Sequence, residues 1–144
     1  MKTLKLTKND FKKASDGYMD YVGKTDVSDY EGHIEIEAGL GYTRFERSVV
    51  AKGRIDIKAG SGIKAGSGIT AGEGIKAGEG IKAGLGIKAG LGIKAGEGYG
   101  IFAGLRLRLS DWTLYAKVIA KDKPENLVSG SWVEPSAESC KEHR

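Results

Sequence analysis

One cysteine, two histidines, two prolines and no long apolar run deny this 144-residue chain most routes by which proteins are stapled, anchored or armed. Cys140 alone closes no internal disulfide and reads as a free thiol in a tail. No apolar stretch approaches the roughly 20 residues of a membrane helix, and Met1-Lys2-Thr3-Leu4-Lys5 lacks the apolar segment of a secretion signal, so a soluble, cytoplasmic protein is expected. His33 and His143 are the only imidazoles. No Ser-His-Asp grouping, metal spacing or phosphate loop accompanies them, so no catalytic residue, cofactor or metal is expected. Aromatic residues are missing between Ile57 and Gly98, which weakens any reading as a stacking platform for nucleic acid.

What fills that stretch is repetition. Seven consecutive hexapeptides from Ile57 to Gly98 follow Ile-Lys-Ala-Gly-x-Gly, broken only by Thr70. Side chains alternate faces along a strand, so each Ile and the Ala two residues on point inward while the Lys between them points out. A helix fits poorly, because two glycines per repeat each cost about 1 kcal/mol relative to Ala and a six-residue period keeps no helical face. The Gly-x-Gly segments suit corners that need positive φ. Self-similarity at this period is a β-helix signature. The fold class is therefore all-β, a β-solenoid of hexapeptide repeats. Three hexapeptides per coil would make a triangular prism. Two would make a flattened ribbon, which the paired variable residues Ser61/Ser67, Glu73/Glu79 and Leu85/Leu91 favour weakly; the prism, the commoner home of Ile-led hexapeptides, is slightly preferred.

Ile36 to Gly41 is an earlier copy, Ile101 to Leu105 a later one displaced by Tyr99-Gly100, and Val49, Val50, Ile55 and Ile57 mark degenerate strands. Residues 34–109 are read as a solenoid body, a rod of roughly 20 to 30 Å at the strand spacing. An open coil end is an unpaired edge, so caps are expected on both sides. Residues 1–33 form the N-terminal one: a short helix from Thr7 as N-cap, with Phe11 and Ala14 on one face, then a loop with Tyr18, Tyr21 and Tyr30. Residues 110–144 form the other: Leu105 to Leu109 with a return strand at 112–120 as a β-hairpin cap, then a polar tail from Lys121, expected to be partly disordered.

The acidic loop Asp16, Asp20, Asp26, Asp29 and Glu31 misses the calcium-loop spacings and is assigned to turns and caps. The working surface then lies on the outside of the rod. Lys58, Lys64, Lys76, Lys82, Lys88 and Lys94 share one template position and are expected to stack coil upon coil. They act either as solubilising gatekeepers or, with Arg106 and Arg108, as a ruler of positive charge for a phosphate backbone or an acidic protein groove. The formal net charge of +4 permits both. Leu85 and Leu91 occupy the variable position. Facing water they place one apolar spot on the middle of the rod, for a partner or a second copy; facing inward they pack the corners.

The segments Asp-Phe-Lys-Lys-Ala (10–14), Gly-Tyr-Met-Asp-Tyr (17–21), Ser-Asp-Tyr-Glu-Gly (28–32), IEAGLGY (36–42) and the IKAGxG block together resemble small Gly-rich solenoid proteins of bacteria and their mobile elements. The likeness spans residues 10–105. Non-enzymatic relatives of that kind include anti-CRISPR inhibitors. The resemblance implies a binding protein that covers a CRISPR-Cas or other defence nuclease complex, with protein the expected partner, nucleic acid a weaker one and no membrane. From another class comes a structural or self-assembling module, ice-binding or tail-spike-like. A flat ice-binding array would favour Thr, and the block has only Thr70.

Overall fold

The computed structural model describes residues 2–96, 99–105, 117–120, 124 and 127–133. Short strands wind into a β-solenoid with three faces, each a sheet that runs along the rod. Sheet A stacks β1 (Thr3–Leu6), β4 (His33–Ile36), β7 (Ile55–Ile57), β10 (Ile75–Ala77) and β13 (Ile93–Lys94). Sheet B stacks β2 (Phe11–Lys13), β3 (Met19–Tyr21), β5 (Gly41–Phe45), β8 (Ser61–Ala65), β11 (Ile81–Ala83), β14 (Ile101–Phe102) and β16 (Leu127–Ser129). Sheet C stacks β6 (Val49–Ala51), β9 (Ile69–Ala71), β12 (Ile87–Ala89), β15 (Lys117–Ile119) and β17 (Ser131–Val133). Among the described residues all strand pairs are parallel except β2 with β3. Within the block Ile75 pairs with Ile93, Ile63 with Ile81 and Ile69 with Ile87, so three hexapeptides make one coil and the prism prevails over the ribbon.

Burial follows the template. Ile63, Ile69, Ile75, Ile81 and Ile87, with Ala65, Ala71, Ala77, Ala83 and Ala89, fill the prism at 2 % exposure or less. Each such Ile contributes about 1.5 to 3 kcal/mol of transfer free energy. Thr43 takes one Ile slot, its hydroxyl donating to the Gly62 carbonyl at 2.8 Å. The first repeat is out of register, however. Ile55 leads β7, and Ile57 pairs with Ala77, so Ile57 occupies an Ala slot and Ala59 lies exposed. Ile36 and Ala38 repeat the pattern one coil earlier. The two added residues lengthen the corner between sheets A and B. Ser61 secures it, donating to the Glu37 carbonyl at 2.6 Å and accepting from Leu40 N–H at 3.0 Å.

The template glycines divide between two purposes. Positive φ, as expected, occurs at Gly39, Gly41 and Gly60 in the lengthened corners and at Gly104, but not at Gly66, Gly72, Gly78 or Gly90. At these four a Cβ would stand 2.4 Å or less from a backbone carbonyl oxygen of the preceding coil, so glycine is required by coil-on-coil approach.

At the N-terminus the expected helix shrinks to one 3-10 turn, Lys8–Asp10, with the Asp10 carboxylate accepting from Thr7 N–H at 2.9 Å. Phe11 already belongs to β2, because its ring is drawn into a cluster with Tyr21 and Phe45, with centroids 5.2 to 5.9 Å apart, that closes this end beneath sheet B. The parallel ladders extend beyond 34–109: Leu4 and Leu6 of β1 pair with Ile34 and Ile36, and β15, β16 and β17 add rungs at the other end. The described part of the expected return strand, β15, thus runs parallel as a further coil, since Val118 fits the slot above Ile87. Arg106, Arg108, Cys140, His143 and the rest of the expected hairpin lie outside the described residues. No helix among the described residues is long and apolar enough to cross a membrane.

Candidate interaction face

Three hexapeptides per coil send successive template lysines to three different faces, so the expected single lysine ladder is divided. Lys76 stacks on Lys94 in sheet A, Lys64 on Lys82 in sheet B, and Lys88 stands alone in sheet C between Thr70 and Ile119. Lys58, shifted with its repeat, leaves the strand position. It bridges Asp56 at 2.8 Å and Glu35 at 3.0 Å, and those carboxylates raise its pKa above the ordinary lysine value. Leu85 and Leu91 do face water, 38 % and 54 % exposed, but on different corners. Leu85 lies between sheets B and C, Leu91 between C and A, so they form no common spot.

Sheet B gathers what the other faces lack. Its outward residues make one unbroken row across the rungs, Lys12, Asp20, Arg44, Lys64, Lys82, Phe102. Rings from outside the block lie against this row. Tyr42 stands opposite Gly62, and a Cβ on Gly80 one coil further would sit 2.1 Å from its hydroxyl, so the ring runs down a channel left by successive glycines. Burial there, with Glu79 nearby, raises the Tyr42 pKa. Tyr18 packs beside it at 6.1 Å between centroids. The Arg44 guanidinium carbon and Lys64 Nζ lie 4.9 and 4.8 Å from the Tyr18 centroid. Lys82 Nζ is 4.4 Å from the Tyr42 centroid, 5.9 Å from Tyr18 and 6.0 Å from Phe102. Ring quadrupoles thus offset the repulsion between cations one rung apart.

Arg44 is further held by Asp20 and Asp16, which raise its pKa, while Arg44 lowers that of Asp16. The acidic loop is used only in part as expected: Asp26 accepts from Ser28 N–H and Oγ–H in a turn, whereas Asp16, Asp20 and Glu31 form ion pairs, Glu31 with Lys52 at 3.0 Å. Among the described residues no three His, Cys, Asp or Glu side chains are grouped to hold a metal ion. His33 Nδ1 accepts from Arg54 N–H at 2.9 Å, a structural contact. A shallow depression of about 370 Å³ lies on sheet B between Tyr21, Arg44, Phe45 and Lys64. A larger one, about 460 Å³, runs along sheet A beside Leu91, walled by Arg54, Asp56, Glu73, Lys76 and Lys94.

Of the expected site residues, the fold brings Lys64 and Lys82 into this strip and leaves Lys76, Lys88, Lys94, Leu85 and Leu91 elsewhere. Tyr18, Tyr42, Arg44 and Phe102 were not foreseen. Tyr42 had a legible signal, since it stands where the template has the glycine preceding an inward residue, with Gly62, Gly80 and Gly100 in the coils that follow. Comparison with protein-family models, curated proteins and solved structures gave no match.

Proposed function

We propose that this protein works by binding a macromolecule and not by catalysis, and that sheet B is its working face. The observation that carries this reading is the strip of Arg44, Lys64 and Lys82 set among Tyr18, Tyr42 and Phe102. Tyrosine and arginine at the centre of a rigid surface are the residues on which protein interfaces most depend. A solenoid suits the task, because hydrogen-bonded rungs hold the side chains in place before a partner arrives. In its finer form, drawn from the resemblance in the cap and repeat segments, the protein is a mobile-element inhibitor of anti-CRISPR type that covers a bacterial defence nuclease complex in the cytoplasm.

The test is DNA cleavage by purified CRISPR-Cas complexes titrated with the protein. Inhibition saturating near one protein per complex is expected, abolished by Lys64→Glu with Lys82→Glu and retained by Lys76→Glu with Lys94→Glu. Full cleavage at excess protein would reject the inhibitor reading. A self-associating module is the second reading, favoured by Leu85 and Leu105, which neighbour each other on the B–C corner through the Gly104 N–H to Leu85 carbonyl bond and are 38 % and 47 % exposed. Sedimentation showing concentration-dependent assembly, lost in Leu85→Ser, would support it.

A further inference from the structure

We infer that the occupant of the sheet B strip is an acidic protein segment carrying an apolar side chain beside its carboxylates. The inference rests on sheet B being the working face and adds the chemistry of what sits there. Charge along the row is ordered. Beyond an exposed Lys12 at one end, Asp16 and Asp20 neutralise Arg44. In the middle Lys64 and Lys82 have no carboxylate within 4.0 Å among the described residues. At the other end the surface turns apolar. Phe102 follows Lys82, and Val128, in a bulge of β16, stands 64 % exposed. Both side chains converge over Gly100, where a Cβ would meet Val128 Cγ2 at 2.6 Å and Phe102 Cε2 at 2.9 Å.

The complement of such a row is two carboxylates followed by an apolar group. Rungs are spaced about 4.8 Å, and same-face side chains of an extended segment about 6.6 Å. A segment lying along the rod with Glu, Glu and Leu at alternate positions drifts from the rungs by about 1.8 Å per step, which the long Lys and Glu side chains take up, so its acids reach Lys64 and Lys82 and its Leu reaches Phe102 and Val128. Nucleic acid fits less well. Lys64, Lys82 and the exposed Lys12 at the end of the row fall short of the roughly six to ten phosphate contacts of a strong polyanion site. Lys64 and Lys82 already lie over the rings of Tyr18 and Tyr42, which restricts base stacking, and Asp16, Asp20 and Glu79 border the strip.

The experiment uses the full chain and three fluorescent probes: the peptide Glu-Ser-Glu-Ser-Leu-Ser-Trp, its Gln-for-Glu counterpart, and a fifteen-nucleotide oligothymidylate. Anisotropy should show salt-sensitive binding of the acidic peptide, about tenfold weaker for the Gln peptide and for K64Q/K82Q. K82R, which keeps the charge over the ring, should stay within about threefold of the parent, and K76Q/K94Q should be unchanged. Tighter binding of the oligothymidylate, lost in K64Q/K82Q, would overturn the inference and leave sheet B as the working face. Peptide binding lost in K76Q/K94Q but kept in K64Q/K82Q would overturn both. Acidic and Gln peptides bound equally, or no peptide bound at millimolar concentration, would overturn the inference alone.

Discussion

Sheets A and B receive the same template lysine and treat it in opposite ways. The outward row of sheet A reads Lys5, Glu35, Asp56, Lys76, Lys94. Its carboxylates are taken by Lys58, and Lys76 and Lys94 stand exposed, free to swing apart in water. In sheet B the corresponding pair, Lys64 and Lys82, is half-buried against Tyr18 and Tyr42. One face lets solvent screen its charge. The other fixes it in place, and a fixed cation is what recognition can use, because little side-chain entropy remains to be lost on contact. The difference lies in rings supplied from outside the repeat, since the hexapeptides on the two faces are nearly identical.

The sharpest way to break this contrast uses glycines at one template position. Gly74 enters β10 in sheet A and Gly80 enters β11 in sheet B. A Cβ on Gly74 would come no nearer than 3.4 Å to Gly92 O, whereas one on Gly80 would strike the Tyr42 hydroxyl at 2.1 Å. Gly80→Ala should therefore expel the tyrosine from its channel and lower stability in urea by about 1 to 3 kcal/mol. Gly74→Ala should be neutral or stabilising by up to about 1 kcal/mol. Equal effects at both sites would mean that Tyr42 is not seated as described.

A smaller effect separates the lysines themselves. Lys82→Gln forfeits its ring contacts and should cost about 0.5 to 1 kcal/mol, while Lys76→Gln, relieving repulsion from Lys94, should cost nothing measurable. Chemical denaturation resolves that difference, and a cost at Lys76 matching that at Lys82 would contradict it.

The smallest effect is acid sensitivity at the charged end of sheet B. Arg44 holds the Asp16 carboxyl below its ordinary 3.8. The stabilisation from this pair is therefore complete above the unfolded pKa and lost as pH falls through the depressed folded value, below about pH 4. Arg44→Ala should lower Tm at pH 6 and narrow the drop in Tm between pH 6 and pH 3. An unchanged drop would show that other carboxylates set acid stability.

Much of the architecture was legible because the information is local: Ile and Ala two residues apart face one way whatever surrounds them. Which lysines share a face was not, since it depends on coil size, a property of three hexapeptides closing together. The glycines showed that corners exist while hiding their cause, because Gly72 looks the same in sequence whether it supplies positive φ or merely lacks a Cβ opposite the Lys52 carbonyl. The register of Ile57 was misleading for a similar reason. IDIKAG contains two candidate leaders, and only the pairing of Ile55 with Ile75 decides between them. Tyr18 and Phe102 were invisible as site residues because nothing in a chain so repetitive ties residue 18 to residue 82 except the fold.

A coil of eighteen residues read in units of six also sets a frame, much as codons set one in a message. Removing a single hexapeptide, such as residues 69–74, would leave the template flawless and every inward slot filled. Everything downstream would nevertheless turn back by a third of a revolution. Lys82 would leave Tyr18 and Tyr42 for sheet A, Lys88 would take its place, and Phe102 would follow Lys82 out of the strip. Gain or loss of repeats, easy in a gene this self-similar, keeps the face intact only in threes.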